Sequence, residues 1–235
     1  ILLPPVSTLF PSPPPFRSPS FPVPRALSTD EVHQTIQDFR FAARRAVEAG
    51  ADGVEIHGAN AYLIHQFLAP SANVRTDEYG GSVENRARFA IEVAKAVAEE
   101  IGADRTGIRL SPGMNMWGID EGTQSEELYR YLSTELNKLK LAYLHIMHMS
   151  NENLLKDMRT IWKSDLILNR PGRPREQAGQ DVESGLADLE SYGTMVLANP
   201  DFVERLQTGA RMNEAYREGF FGGTDKFYTD YPVIG

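Results

Sequence analysis

The chain has 235 residues, of which 41% are hydrophobic and 24% are charged, a composition typical of a globular protein with one sizeable core. The formal net charge of −8 at pH 7 argues against nucleic acid and against an anionic membrane surface as partners, because both attract basic faces. The absence of cysteine excludes disulfides and thiolate metal sites, and no apolar run reaches the roughly 18 residues of a membrane span, so we expect a cytoplasmic location by default.

Residues 1–24 hold nine of the fifteen prolines. Each proline fixes φ and removes a backbone donor, so this segment can form neither a helix nor a central strand. It opens on apolar residues without a basic region, which argues against a signal peptide. We therefore predict a proline-rich N-terminal arm over 1–24 that contributes little buried area, followed by one domain over 25–235.

Helical and strand patterns alternate after this arm. The first helix is predicted to begin at the capping box of Ser28 and Glu31 and to end at Gly50, since apolar residues recur at helical spacing between them. Further helices are predicted over 84–100, 125–139, 151–161, 174–184 and 200–208, and strands near Val54 and over 106–110, 142–147, 166–168 and 186–192. This alternation is typical of parallel βα units with right-handed crossovers.

Polar residues follow the first predicted strand, where Val54 and Ile56 give way to His57, Asn60 and Tyr62. Barrels of the α/β class present catalytic groups at this end of a strand. An imidazole, an amide and a phenol in so short a stretch can gather around one polarised oxygen and the carbon beside it. A structural interpretation is also open, in which His57 caps the strand, Asn60 caps a helix and Tyr62 packs.

The segment 53–89 resembles the signature region of the old yellow enzyme family, the flavin-dependent ene-reductases. The resemblance is densest in Arg-Thr-Asp-Glu-Tyr-Gly-Gly-Ser at 75–82 and Glu-Asn-Arg-Ala-Arg-Phe at 84–89, and it extends from about Phe21 to the C-terminus. It implies a TIM-barrel-type (β/α)8 fold, FMN as cofactor, NAD(P)H as reductant and a small activated alkene as substrate. It also implies that His57 and Asn60 bind the substrate oxygen and that Tyr62 donates a proton.

Five predicted strands are too few for a complete barrel, which has eight strands and typically about 250 residues. The family's barrel has three strands ahead of its His-x-x-Asn strand, and these have no counterpart here. We therefore expect a partial barrel of about five parallel βα units. Its two open sheet edges would be closed by self-association, by rearrangement or by a partner chain.

The resemblance also implies a set of cofactor-binding residues. It assigns Arg109 to the pyrimidine edge of the flavin, where a guanidinium would stabilise the charge of the reduced ring; a strand-end ion pair is the alternative. Asn-Arg-Pro-Gly-Arg at 169–173 stands where the family has Asn-Gly-Gly, and Tyr-Gly-Thr at 192–194 where it has Phe-Gly-Arg, so the phosphate-pairing arginine is absent. The other candidates are Asn169, Arg170, Gly172, Gly193 and Thr194. Arg170 or Arg173 would supply the lost charge from the neighbouring loop.

Other kinds of site find little support. His145 and His148 would point to opposite faces of a strand, so we expect no shared metal. The chain has no Gly-x-Gly-x-x-Gly and no Gly-x-x-x-x-Gly-Lys, which excludes the Rossmann and P-loop interpretations. The predicted function is that of an NAD(P)H-dependent FMN oxidoreductase acting on an α,β-unsaturated carbonyl or nitro compound. The alternative is a truncated, non-catalytic relative that acts as an interaction module or as half of a split barrel.

Overall fold

The computed structural model describes residues 25–115, 117–220 and 224–234. The arm predicted over 1–24 lies outside the described residues. The rest forms two compact units, Ala26–Ser191 and a smaller one that contains the residues from Tyr192 onward. Each described helix is either too short or too polar to cross a membrane.

The larger unit alternates helices and strands. Its helices are α1 (Thr29–Glu48), α2 (Leu63–Leu68), α3 (Val83–Ile101), α4 (Ser125–Lys138), α5 (Glu152–Ile161) and α6 (Gln180–Glu183). Its strands are β1 (Val54–His57), β2 (Thr106–Leu110), β3 (Tyr143–Met147), β4 (Asp165–Asn169) and β5 (Leu189–Ser191). Single 3-10 turns occur at Ala103–Arg105 and Arg175–Gln177.

The five strands form one parallel sheet in the order β1-β2-β3-β4-β5. Each strand therefore pairs with its neighbours along the chain, as successive βα units of a barrel do. Within the described residues, β1 and β5 each pair with a single strand. The prediction of a partial barrel of five parallel βα units is confirmed.

The two faces of the sheet differ in chemistry, because successive side chains of a strand point to opposite sides. Ile56, Ile108 and Leu144 are buried in a core that also contains residues of α1, α3, α4 and α5. The opposite face carries polar side chains from the same strands, including His57 and Arg109, which are half-buried. The apolar face thus fixes the sheet, and the polar face is left for a site.

Helix α1 forms as its sequence predicts. The Ser28 side chain accepts from the backbone N–H of Glu31, whose carboxylate accepts from the N–H of Ser28 at 2.8 Å, and Val32, Ile36 and Ala43 are buried on one face. The same local signal works at α5, where the Asn151 side chain caps the N–H of Leu154.

The prediction was wrong where a helix was expected over 174–184. The segment contains a 3-10 turn followed by the short helix α6, because Gly179 adopts φ 86°, a left-handed conformation that ends one helical segment and starts another. Helix α2 was not predicted, since it has only six residues and its N-cap, Tyr62, makes no side-chain capping bond.

The smaller unit contains α7 (Thr194–Ala198), α8 (Phe202–Thr208) and a 3-10 turn at Arg217–Gly219. Arg205, which is 5% exposed, anchors the chain that follows α8. Its guanidinium donates to Asp201 at 2.6 Å and to the carbonyl of Pro232 at 2.8 Å. One buried arginine thus holds the C-terminal segment on α8.

Candidate active site

Two neighbouring strand ends bring the first two predicted site residues together. His57 is the last residue of β1, and the sheet register pairs it with Arg109 of β2. The next pair in the same row is Arg109 with His145 of β3. Paired residues of parallel strands project from the same face, so three basic side chains stand in one row at the carboxyl side of the sheet.

The His57 imidazole lies against the Tyr62 phenol, with the ring centroids 4.8 Å apart and the rings tilted by 52°. Burial and, next in size, the charge of Arg109 lower the pKa of His57 below its ordinary value of 6.5. The imidazole is therefore neutral at neutral pH and carries one N–H to donate. The structure thus brings the His57 and Tyr62 side chains into contact.

The turn between β1 and α2 carries Asn60 in a rare backbone conformation. Asn60 has φ 58° and Ala61 has φ 64°, and for residues with a Cβ atom this left-handed region costs about 1–2 kcal/mol each. The Asn60 N–H donates to Ser111 Oγ at 2.9 Å, so a side chain beyond the end of β2 holds the turn. Consecutive strained residues that surrounding groups hold in place are typical of functional sites.

Two residues of the predicted site carry buried polar atoms without partners. In the described part of the chain, three buried side-chain nitrogen or oxygen atoms lack a hydrogen-bond partner: Asn60 Oδ1, Arg109 Nε and Ser133 Oγ. Two of the three belong to the predicted site. Because a buried polar atom without a partner is costly, these two atoms indicate a polar ligand that would complete them.

Arg109 is set in this row with a carboxylate nearby. Burial lowers the pKa of its guanidinium, and the charge of Glu55 acts in the opposite direction. The group remains a cation at any ordinary pH. It is thus a half-buried positive charge whose buried Nε–H has no partner in the described residues.

Glu55, His145 and Ser191 form a hydrogen-bonded chain on the same face of the sheet, which the sequence did not reveal. His145 Nδ1 lies 2.9 Å from Glu55 Oε2, and His145 Nε2 lies 2.8 Å from Ser191 Oγ. Gly107 lies between Glu55 and Tyr143 in the register, and the Tyr143 ring covers it, since a Cβ atom there would meet that ring at 2.3 Å. His148 instead contacts Glu152 at 3.0 Å. The two histidines therefore have separate partners.

The loop after β4 carries the predicted phosphate-binding residues. Asn169 donates through Nδ2 to the Ser191 carbonyl at 2.9 Å, and the exposed Gly172 has φ 77°. Arg170 binds two carboxylates: Nε and an NH2 group reach Asp181 at 2.8 and 3.1 Å, and the guanidinium also pairs with Glu152. The hydrogen bonds to Glu152 have the largest effect, and together with those to Asp181 they raise the pKa of Arg170.

Arg173 is engaged in the same way. It pairs with Asp181 at 2.6 Å and with Glu190 at 2.9 Å. Two arginines thus share three carboxylates, and both arginines line a cleft of about 450 Å³ together with Glu152. Neither arginine has the free charge that a phosphate would need.

Gly193 and Thr194 lie in the smaller unit. Gly193 precedes α7 as its N-cap residue, with φ −92°, and Thr194 is the first residue of that helix. Both are exposed.

The most densely matching segment, 75–82, has a structural role. Arg75 pairs with Asp77, and Asp77 also accepts from Thr29 Oγ1 at 2.9 Å, which ties this loop to the start of α1. Gly80 packs directly on the backbone of Arg75, where a Cβ atom would lie 2.2 Å from the carbonyl oxygen. Tyr79 donates to Glu92 of α3 at 2.7 Å. The contacts of this segment therefore stabilise the loop that follows α2.

The chain is similar in sequence to known proteins. The family model described as NADH:flavin oxidoreductase / NADH oxidase family matches residues 14–213. Among curated relatives, 12-oxophytodienoate reductase 2 of Arabidopsis thaliana is 44% identical over 91% of this chain and 59% of its own length. A probable flavin mononucleotide-dependent alkene reductase of Leishmania infantum is 39% identical over 91% of this chain and 59% of its own length.

Solved structures agree with the sequence relatives. Morphinone reductase in complex with tetrahydroNAD is 43% identical with a TM-score of 0.85, over 90% of this chain and 58% of that one. The old yellow enzyme homologue from Zymomonas mobilis is 36% identical with a TM-score of 0.85, over 91% of this chain and 62% of that one. The chain spans about three-fifths of the length of these relatives. It belongs to the NADH:flavin oxidoreductase / NADH oxidase family, the old yellow enzyme family that its sequence resembles.

Proposed function

We propose that this chain carries the substrate-binding and proton-donating part of an FMN-dependent ene-reductase. The substrate is an activated alkene, either an α,β-unsaturated carbonyl or a nitro compound, and the reductant is NAD(P)H. The observation that carries the proposal is the group at the ends of β1 and β2, where the His57 ring lies against Tyr62, the sheet register pairs His57 with Arg109, and the buried Nε of Arg109 lacks a partner in the described residues.

His57 and Asn60 bind the carbonyl or nitro oxygen in this proposal. A neutral imidazole and an amide each donate one hydrogen bond, and donors aimed at a developing oxyanion contribute about 2.7–4 kcal/mol each to the transition state. The lowered pKa of His57 supports this role, because the ring keeps its neutral form at the working pH. Tyr62 delivers the proton to the α-carbon, since a phenol carries its proton at neutral pH. When bound, FMN supplies to the β-carbon the hydride that it takes from NAD(P)H.

The residues fit the flavin ring of the cofactor near Arg109, whereas the arginines of the loop after β4 are already paired with carboxylates. Arg109 would hold the pyrimidine edge of the flavin, and its free Nε–H suits an acceptor on that edge. In the larger unit, Asn169 and Gly172 remain candidates for the ribityl and phosphate groups, and the role of Gly193 and Thr194 of the smaller unit stays a prediction from the sequence. Arg170 remains one only if a phosphate displaces Glu152 or Asp181 from its guanidinium.

The alternative is a non-catalytic relative that serves as an interaction module or as half of a split barrel. Two observations favour it: the open edges of the five-stranded sheet in the described residues, and the pairing of Arg170 with carboxylates. In either case we propose that a second copy or a partner chain completes the barrel, and that the protein works in the cytoplasm.

Flavin binding separates the two proposals. The purified chain is titrated with FMN, and binding is followed by visible absorbance and by quenching of flavin fluorescence. A saturable complex that oxidises NADH or NADPH when an activated alkene is added supports the enzyme, and Tyr62→Phe should then slow alkene reduction without weakening FMN binding. A chain that binds no FMN would leave the non-catalytic relative as the better description.

A further inference from the structure

The backbone around Asn60 is held by a set of side chains that the proposed reaction does not use. Asn60 and Ala61 are both in the left-handed region, and Ala61 has no side chain that could stabilise this conformation by its own hydrogen bonds. Two side chains of α2 bind the backbone of Ala61 instead. Its N–H donates to His65 Nδ1 at 2.9 Å, and its carbonyl accepts from Gln66 Nε2 at 2.7 Å.

This contact fixes the tautomer of His65. A ring nitrogen that accepts a hydrogen bond carries no proton, so His65 is protonated at Nε2, which lies 2.8 Å from Glu121 Oε1. His65 is fully buried, and both of its ring nitrogens have partners. The ring therefore has a single orientation, which is fixed by the hydrogen bond from Nε2 to Glu121.

Glu121 is itself held by several donors. Tyr129 donates to Oε1 at 2.7 Å, the N–H of Gly113 donates to Oε2 at 2.9 Å, and Ser125 donates to the same oxygen. Burial alone would raise the pKa of Glu121, but His65 and then the other donors lower it, so the carboxylate stays charged. A buried anion with four donors is a rigid acceptor for the His65 N–H.

We propose that His65, oriented by Glu121, is a positioning residue that holds Ala61 in its left-handed conformation and so sets the direction of the Asn60 amide. The consequence for catalysis rests on the proposed function. The hold on the backbone does not, because it is a property of the folded chain alone. An ordinary buried histidine would stabilise the core without controlling the conformation at Ala61.

Two replacements of His65 separate the contact to Ala61 from the contact to Glu121. His65→Asn places an oxygen near the position of Nδ1, so it keeps an acceptor for Ala61 but does not reach Glu121. His65→Phe fills the space and removes both contacts. Leu132→Ala, in the buried part of α4, lowers stability without touching the turn and is the control.

The first measurement needs no flavin. Backbone NMR shifts and couplings at Asn60 and Ala61 should show the left-handed conformation in the wild type, in His65→Asn and in Leu132→Ala, and its loss in His65→Phe. If His65→Phe proves too unstable, the ring nitrogen shifts of wild-type His65 test the Nε2–H tautomer directly. A left-handed Ala61 in folded His65→Phe, or an Nδ1–H tautomer in the wild type, would overturn the proposal.

The second measurement is kinetic. If FMN binds, His65→Phe should reduce kcat/KM for the alkene by about a hundredfold, the effect of moving a reacting group by roughly an ångström, while FMN binding is unchanged. Glycine adopts the left-handed conformation freely, so the loss should be at least about tenfold smaller when Ala61→Gly is already present. Equal losses in both backgrounds would mean that His65 acts through the core and would sink the inference. Failure to bind FMN would count against the proposed function only, since the NMR arm still decides the role of His65.

Discussion

At the scale of single residues, the site is distinguished by buried polar atoms that lack a hydrogen-bond partner in the described part of the chain. Most buried polar groups in folded proteins are satisfied, so the unpartnered Nε of Arg109 and the unpartnered Oδ1 of Asn60 are informative. Both belong to residues that the proposed reaction uses. Arg109 makes the sharper test, because its charge acts on the electronics of a bound flavin.

Replacement of Arg109 by alanine should lower the reduction potential of bound FMN and slow its reduction, since a positive charge stabilises the reduced, anionic ring more than the oxidised, neutral ring. Binding should weaken by about 1.5–3 kcal/mol at most, the contribution of one charged hydrogen bond. A redox titration measures the first effect. Arg130→Ala, which removes the ion pairs from α4 to Glu126 and Asp157, should leave the potential unchanged. An unchanged potential in Arg109→Ala would mean that Arg109 is only a strand-end residue.

His57 predicts a pH dependence of stability. Burial, followed by the charge of Arg109, lowers its pKa in the folded chain below the 6.5 of the unfolded chain, so the unfolded chain takes up the proton first as the pH falls. The stability that His57 contributes is therefore full above about pH 6.5 and falls as the pH drops towards the folded-state value.

The measurement is the free energy of unfolding from pH 7 downward in the wild type and in His57→Asn. The wild type should lose more stability than the variant, by about 1.4 kcal/mol per unit of difference between the folded and unfolded pKa values. Parallel curves would show that the imidazole has the same pKa in both states.

At the scale of elements, the loop after β4 is an ion-pair network. Arg170 and Arg173 bind Glu152, Asp181 and Glu190, so the carboxylates outnumber the guanidinium groups. A phosphate entering this cleft would meet a slightly negative environment. The phosphate of FMN should accordingly add little to binding in the unaltered chain, and riboflavin should bind almost as tightly as FMN.

Glu152→Gln should change this preference. The substitution removes one of the two carboxylates that bind Arg170 and leaves a guanidinium charge for a phosphate, at a gain of about 1.5–3 kcal/mol for a charged hydrogen bond. FMN should then bind roughly ten- to a hundredfold more tightly relative to riboflavin, in titrations followed by flavin fluorescence. Glu126→Gln, which breaks a similar ion pair on α4, is the matched control. No change in the FMN to riboflavin ratio would show that this loop does not contact the phosphate.

At the scale of the whole molecule, the five-stranded sheet leaves strand edges that can pair with another chain. In the described residues, β1 and β5 each have one strand partner, and Leu189 on β5 is 54% exposed. Unpaired edges with apolar side chains promote association, and a lysine on an edge strand opposes it.

The chain should therefore self-associate as its concentration rises, and Leu189→Lys should shift it towards the monomer in sedimentation velocity experiments. Val74→Lys adds the same charge at a loop residue that is 83% exposed and should have no effect. A chain that is monomeric at every concentration would remove the support for association through this edge.

The sequence by itself determined the order of the five strands and of the longer helices, and the residues at the strand ends. The Ser28–Glu31 capping box and the apolar spacing of α1 act over a few residues, and so do the alternating patterns of the strands. Such signals can be read locally because a helix turn and a strand pleat have fixed periods. The strand-end positions of His57 and Arg109 followed from the same patterns.

Only the tertiary structure decided what those side chains contact. His65 and Glu121 are 56 residues apart, and Glu55 and His145 are 90 apart, so no local pattern pairs them. The sequence showed the charges of Arg170 and Arg173, but it did not show which carboxylates pair with them. The physical reason is that a hydrogen bond or an ion pair depends on which groups the packed core brings within about 3 Å of each other, and packing is a property of the whole fold.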